Sequence, residues 1–119
     1  MENHKLVLPE HLNHFGFLFG GNLLSWVDEF AWIAASLDYP GLQFVTVGMD
    51  EVAFRQGVRQ GAILKLEANR IREGITSVTY EIEVTRADVA TGDRTSVFST
   101  RVTLVRVDAS GEKVPITDE

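Results

Sequence analysis

The spacing of apolar residues changes once along this chain, and the change separates a helical segment near the start from a strand-forming remainder. Lys5-Leu6-Val7-Leu8 reads as a short strand stopped by Pro9, and residues 10–20 read as a loop. Over residues 21–37 the spacing is helical. Leu23, Val27, Phe30, Ala34 and Leu37 make one apolar side, widened by Leu24, Ala31 and Ala35. Asn22, Ser25, Glu29 and Ser36 form a narrow polar stripe with Trp32 inside it. A helix with so little polar surface must be wrapped by something else. Asp38-Tyr39-Pro40-Gly41 ends it in a turn.

From residue 42 onward the pattern is that of strands. Residues 42–54 are rich in Val, Phe and Thr. Residues 62–71 set Leu64, Leu66 and Ala68 against Lys65, Glu67 and Asn69, and the phase breaks at Arg70, Ile71 and Arg72, which predicts a bulge. Residues 77–85 alternate cleanly, with Val78, Tyr80, Ile82 and Val84 on one face. Residues 95–107 make a long final strand, and Glu73-Gly74 and Thr91-Gly92-Asp93 supply hairpin turns. The predicted architecture is α+β, a long and largely antiparallel sheet with one face covered by a single helix. There are no repeats or linkers, so residues 1–119 are expected to form one domain. One helix cannot cover every apolar strand face, and an open sheet edge invites pairing, so a homodimer is expected.

Charge narrows the partners. The chain carries 11 Lys+Arg against 17 Asp+Glu, a formal net charge of −6. That balance argues against nucleic-acid binding, which needs a basic face. An anionic substrate would need a local cluster of arginines. Without cysteine there is no disulfide, thiolate catalysis or Cys-based zinc site. The first residues, Met1-Glu2-Asn3-His4-Lys5, lack signal-peptide character, and no apolar run approaches the ~20 residues that span a bilayer. The expectation is a cytoplasmic protein with no membrane partner.

The candidate chemistry lies in Asn13-His14-Phe15-Gly16-Phe17-Leu18-Phe19-Gly20-Gly21 and in Asp28. Gly20 and Gly21 let backbone approach a ligand, and the helix behind them begins with unpaired N–H groups and a partial positive charge. Such a helix start holds a carbonyl oxygen or an anion. Asp28, two turns on, supplies an acid, with Glu29 as the backup. Asn13 supplies an amide, or simply caps a turn. His11 and His14 lie three residues apart, but no third ligand stands out and no metal is expected. Asp50 and Glu51 read as edge-strand charges or as a second acidic site. Phe15, Phe17, Phe19 and Trp26 are expected to pack in a core or dimer interface, or to wall a pocket.

Asn13-x-x-Gly16-x-x-x-Gly20-Gly21-x-x-x-x-x-x-Asp28, followed by Val45-Thr46-Val47 and Gly74-x-Thr76-Ser77-Val78, resembles the hotdog-fold acyl-CoA thioesterases of the broad-range bacterial and cytosolic type. The resemblance runs over residues 9–107 and implies a sheet wrapped around a central helix, joined edge to edge in dimers that often assemble further. It implies an active site between protomers, with Asn13 from one and Asp28 from the other. Backbone N–H groups near Gly20 and Gly21 would bind the thioester oxygen, and acyl-CoA would be hydrolysed without a cofactor. Arg55, Arg59, Arg70 and Arg72 then become candidates for the coenzyme A phosphates, or else pair on the surface with Glu67, Glu73 or Glu83, and Thr76 and Ser77 become candidates for hydrogen bonds to its nucleotide or pantetheine. The chain departs from the family where Gly57 replaces a proline and Ala62 an aspartate. Two other functions fit the same fold. One is a non-catalytic acyl-CoA sensor or scaffold, which needs no carboxylate. The other is a dehydratase or hydratase, which relies on a histidine paired with an acid.

Overall fold

A computed structural model describes residues 1–117. Its elements are β1 (Glu2–Leu6), a 3-10 turn (Pro9–His11), α1 (Gly20–Asp38), β2 (Gln43–Phe54), β3 (Ile63–Glu73), β4 (Ser77–Ala87) and β5 (Arg94–Val107). The five strands form one sheet in the order β1-β3-β4-β5-β2, and every neighbouring pair is antiparallel. The first strand sits about two residues earlier than the sequence pattern suggests. Val7 is fully buried and its N–H donates to the Ala62 carbonyl at 3.0 Å, so the chain is anchored there before Pro9 turns it.

The helix lies across one face of the sheet. Leu23, Val27, Phe30, Ala31 and Ala34 meet Leu64 and Leu66 of β3, Val78, Tyr80, Ile82 and Val84 of β4, and Phe98, Val102 and Leu104 of β5. The expected bulge is present, as a register shift between Arg70 and Arg72. Leu37 departs from the expectation. It is 65% exposed, because the side of the last turn that stays on the sheet is that of Ala35, fully buried, and of Asp38, which accepts the hydroxyl of the buried Tyr80.

β2 is an edge strand bent by two irregularities, one between Thr46 and Gly48 and one between Asp50 and Ala53. At the second, Glu51 takes φ +52°. Val45, Val47, Val52 and Phe54 on this edge, and Trp32 beside it, are exposed. A strip of apolar side chains along an unpaired strand is unusual for a surface facing only water. It agrees with the edge pairing expected from the sequence.

Candidate active site

The site begins in a closed loop. A Leu12–Leu18 bridge joins its ends, the Asn13 N–H donates to the Phe17 carbonyl at 2.7 Å, and Gly16 turns the chain at φ +86°. The Asn13 side-chain oxygen accepts the N–H groups of Phe15 at 2.9 Å and Phe17 at 3.2 Å. Backbone donors on the oxygen fix the orientation of the amide, so the group Asn13 presents outward is its NH₂ donor.

The loop feeds directly into α1. Phe19 is the residue before the helix and makes no side-chain cap, and the first turn contains no acid. The positive end of the helix is therefore not neutralised by its own sequence. The Asn22 and Leu23 N–H groups turn back to the Phe19 carbonyl at 3.0 and 3.3 Å, whereas the N–H groups of Gly20 and Gly21 come too early for an intrahelical acceptor. A β-carbon on Gly21 would sit 2.6 Å from the Phe19 ring, so only glycine fits there without moving it. Beside this end lies a cavity of about 270 Å³, lined by Leu18, Gly20, Leu23, Phe54, Gly57 and Val58 among others. Arg55 and Gln56 complete its lining, so its walls mix apolar and polar groups.

Asp28 stands eight residues beyond Gly20, about 12 Å along the helix axis. It is half-buried, and its Oδ1 accepts the Thr46 hydroxyl of β2 at 2.6 Å. Sequence reasoning did not find this partner. Asp28 and Asn13 are not hydrogen-bonded to each other within the chain; each is held by its own separate contact. Glu29 is exposed and faces a different cavity, with Trp26 and Phe30.

The remaining candidates disperse. The His11 Nδ1 accepts the Leu8 N–H at 3.0 Å and its ring packs edge-on against Trp26, so it secures the turn before the loop. Among the described residues no group of three metal-ligating side chains is assembled. Phe17 lies against Gly57, Trp26 packs on the core, and Phe15 and Phe19 are exposed in the single chain rather than part of its core. Glu51 pairs with Arg101 at 3.5 Å, and Arg101 also meets Glu81 at 3.7 Å.

Arg55 follows β2 near the helix start, and its guanidinium donates to Ser96 at 3.1 Å and Ser99 at 2.8 Å. Arg70 sits at the opposite end of the helix, where it donates to the Tyr39 hydroxyl at 2.8 Å. There, burial followed by the Glu73 hydrogen bond raises the Tyr39 phenol pKa. Burial and the Asp38 carboxylate, which accepts a hydrogen bond from the phenol at 2.6 Å, lift Tyr80 well above the usual phenol range. Arg72 lines a hollow with Asp50 and Arg101. Thr76 and Ser77 close the β3–β4 turn, with the Thr76 carbonyl accepting the Arg106 N–H at 2.9 Å. Along β5, Val97 faces Arg55 and Val105 faces Ser77, a separation of about 26 Å. One protomer therefore does not gather Arg55, Arg70, Arg72, Thr76 and Ser77 into one place.

A long antiparallel sheet curled around one helix, with an uncapped helix start and a braced carboxylate two turns behind it, defines an α+β fold of the hotdog class. The thioesterase superfamily matches over residues 15–93, and the chain belongs to that family. It is 31% identical over 110 residues to the uncharacterized acyl-CoA thioester hydrolase YkhA of Bacillus subtilis, a match covering 92% of this chain and 63% of that protein. The chain thus spans less than two thirds of that relative's length. Its structure superposes on a hexameric hotdog fold thioesterase of Campylobacter jejuni with a TM-score of 0.87 at 33% identity, over 98% of this chain and 89% of that one. It also superposes on an acyl-CoA hydrolase from Staphylococcus aureus in complex with butyryl coenzyme A, coenzyme A and coenzyme A disulfide. There the TM-score is 0.89 at 28% identity, over 97% of this chain and 70% of that one. No described helix is long and apolar enough to cross a membrane.

Proposed function

We propose that this chain is an acyl-CoA thioesterase, hydrolysing acyl-CoA to a free carboxylic acid and coenzyme A in a site completed by a second copy of itself. The observation that carries the reading is the half-buried Asp28 carboxylate, braced by Thr46 two turns behind a helix start that has neither a cap nor an acid. When a thioester carbonyl is attacked, its oxygen becomes negative, and N–H donors fixed at Gly20 and Gly21 oppose that charge without reorganising. Losing one such donor commonly costs ~100- to 1000-fold in rate.

Asp28 acts as base or nucleophile. As a base it takes a proton from water while the water oxygen bonds to the carbonyl carbon; the C–S bond then breaks and the proton passes to the leaving thiolate. As a nucleophile it bonds to that carbon itself, expels the thiolate, and leaves an anhydride that water opens. Asn13, with its oxygen committed to the loop, offers only an N–H donor, which suits the substrate oxygen, the attacking water or a neighbouring copy's Asp28. The exposed apolar edge of β2 supports assembly from paired copies. The Campylobacter relative is hexameric. In two variants of the Staphylococcus enzyme, an asparagine and an aspartate 15 positions apart were each replaced, the separation of Asn13 and Asp28 here.

Of the residues expected to hold coenzyme A, Arg55 lies at the helix-start end. Arg70, Arg72, Thr76 and Ser77 would reach a thioester there only from a neighbouring copy. The reading needs no resident cofactor, since coenzyme A is part of the substrate.

The deciding experiment is hydrolysis of a panel of acyl-CoAs by the wild type and Asp28→Asn. Turnover by the wild type and a loss of at least a hundredfold in the variant support the reading. Equal rates remove Asp28 from the mechanism, and binding without turnover by the wild type points to a sensor. Single-turnover hydrolysis in ¹⁸O water bears on the two roles: label in the Asp28 carboxylate arises only from an anhydride that water opens at the aspartyl carbonyl, since the base route puts all label in the product acid.

A further inference from the structure

Trp32 interrupts the polar stripe of α1 with a large aromatic ring and takes no part in the chemistry proposed above. It stands four residues after Asp28, so the two side chains leave the same face of the helix about 6 Å apart. Both reach β2. Asp28 accepts the Thr46 hydroxyl at 2.6 Å, and the Trp32 Nε1–H donates to the Phe44 carbonyl at 3.2 Å. These two anchors, one strand residue apart, hold the carboxylate and the indole side by side.

The Phe44 carbonyl lies on the outer edge of the sheet. Phe44 is opposite Arg106 of β5, yet the Arg106 N–H goes to the Thr76 carbonyl and the Arg106 carbonyl accepts the Val114 N–H. The backbone groups of Phe44 therefore point away from β5, as those of alternate residues on an antiparallel edge do. The indole takes the place at Phe44 that a paired strand would fill, and it is fixed in the corner between the helix and the free edge. Its N–H is satisfied while the residue stays 47% exposed, so what it presents outward is apolar ring.

The two sides of Asp28 are thus unequal. One turn toward the helix start stand Leu24, packed on the core, and Ser25, exposed and polar. One turn toward the helix end stands the indole. A thioester at Asp28 carries an apolar acyl arm and a polar, amide-bearing arm, and the ring suits the acyl arm. An extended chain advances about 1.3 Å for each C–C bond of ~1.5 Å, so the distance to the indole takes roughly four bonds.

We infer that Trp32 is a specificity-determining residue, whose indole closes the acyl path one helical turn beyond Asp28 and limits the substrate to acyl groups of about five carbons or fewer. The place of the thioester rests on the function proposed above; the wall rests on the contact between Trp32 and Phe44.

The test measures kcat/KM for butyryl-, hexanoyl-, octanoyl- and decanoyl-CoA with the wild type, Trp32→Ala and Trp32→Phe. The same proteins are titrated with two unreactive thioethers, S-butyl- and S-octyl-coenzyme A. The wild type should prefer butyryl to octanoyl. In Trp32→Ala the octanoyl-to-butyryl ratio should rise at least tenfold, since each methylene newly taken into apolar surroundings is worth about fourfold. Binding of the octyl relative to the butyl thioether should rise by a similar factor. Trp32→Phe, which keeps a ring and loses the N–H, should lie between the two; Trp32→Leu serves if the Ala variant does not fold. An unchanged ratio in Trp32→Ala overturns the inference, as does a wild type that prefers octanoyl. An equal fall at every chain length, with smaller species by light scattering, also overturns it and makes Trp32 an interface residue only. If the wild type hydrolyses no acyl-CoA, the thioesterase reading fails, and the thioether affinities still decide whether Trp32 limits chain length. Absence of thioether binding as well would overturn both.

Discussion

The Thr46 hydroxyl donates to the Asp28 carboxylate at 2.6 Å, a bond between the buried helix and the edge strand of the sheet. It fixes one oxygen of the carboxylate. Thr46→Val keeps the shape and removes the donor. The expected result is a fall in kcat of about tenfold with a smaller change in KM, the scale of one hydrogen bond to a charged group. Steady-state kinetics beside a thermal melt checks this. A variant with wild-type kcat and unaltered stability would detach Thr46 from the site.

Asn13 offers a sharper substitution. Asn13→Asp keeps an oxygen for the Phe15 and Phe17 N–H groups but removes the NH₂ donor. The loop should survive, with a melting temperature close to that of the wild type, while kcat falls at least a hundredfold. Asn13→Ala should lose activity and also about 1 kcal/mol of stability per lost loop hydrogen bond. Kinetics and denaturation on the same samples separate the two effects.

Val47, 54% exposed on the β2 edge, is the place to test assembly. Val47→Lys puts a charge where a second edge would pair. Light scattering should show smaller species than for the wild type, and specific activity should fall with them. Activity retained by a monodisperse monomer would contradict a site built from two copies.

At the other end of the helix, the buried Tyr80 phenol donates to Asp38 and its pKa is raised in the folded protein. A raised folded pKa means that its contribution to stability is full below the unfolded value of about 10 and is lost as pH climbs above it. Denaturant midpoints measured from pH 9 to 12 should drop above pH 10 in the wild type. They should drop less steeply in Tyr80→Phe.

Much of this was legible from side-chain spacing. The helix, the strands from Leu42 onward, the slip near Arg70 and the glycine turns at Gly74 and Gly92 all follow from local periodicity and turn chemistry. Strand order was not legible, since placing β2 beside β5 and β1 beside β3 depends on pairings across much of the chain. The Thr46 partner of Asp28 was missed for the same reason: the two lie 18 residues apart and meet only once β2 has found the sheet edge. Residue type marks an arginine as a candidate phosphate ligand, but type does not say which end of a strand it occupies. Arg55 and Arg70 therefore looked alike until the sheet set them at opposite ends.

In the proposed site one copy's asparagine works with another copy's aspartate. Mixing Asn13→Ala with Asp28→Asn after joint unfolding and refolding tests it, because a mixed pair then contains one site with both residues intact. Two nearly inactive preparations are expected to recover about a quarter of wild-type activity when refolded together in equal amounts, as random pairing of two copies gives. A refolded mixture no more active than its parents, with mixed assembly demonstrated by mass, would contradict it.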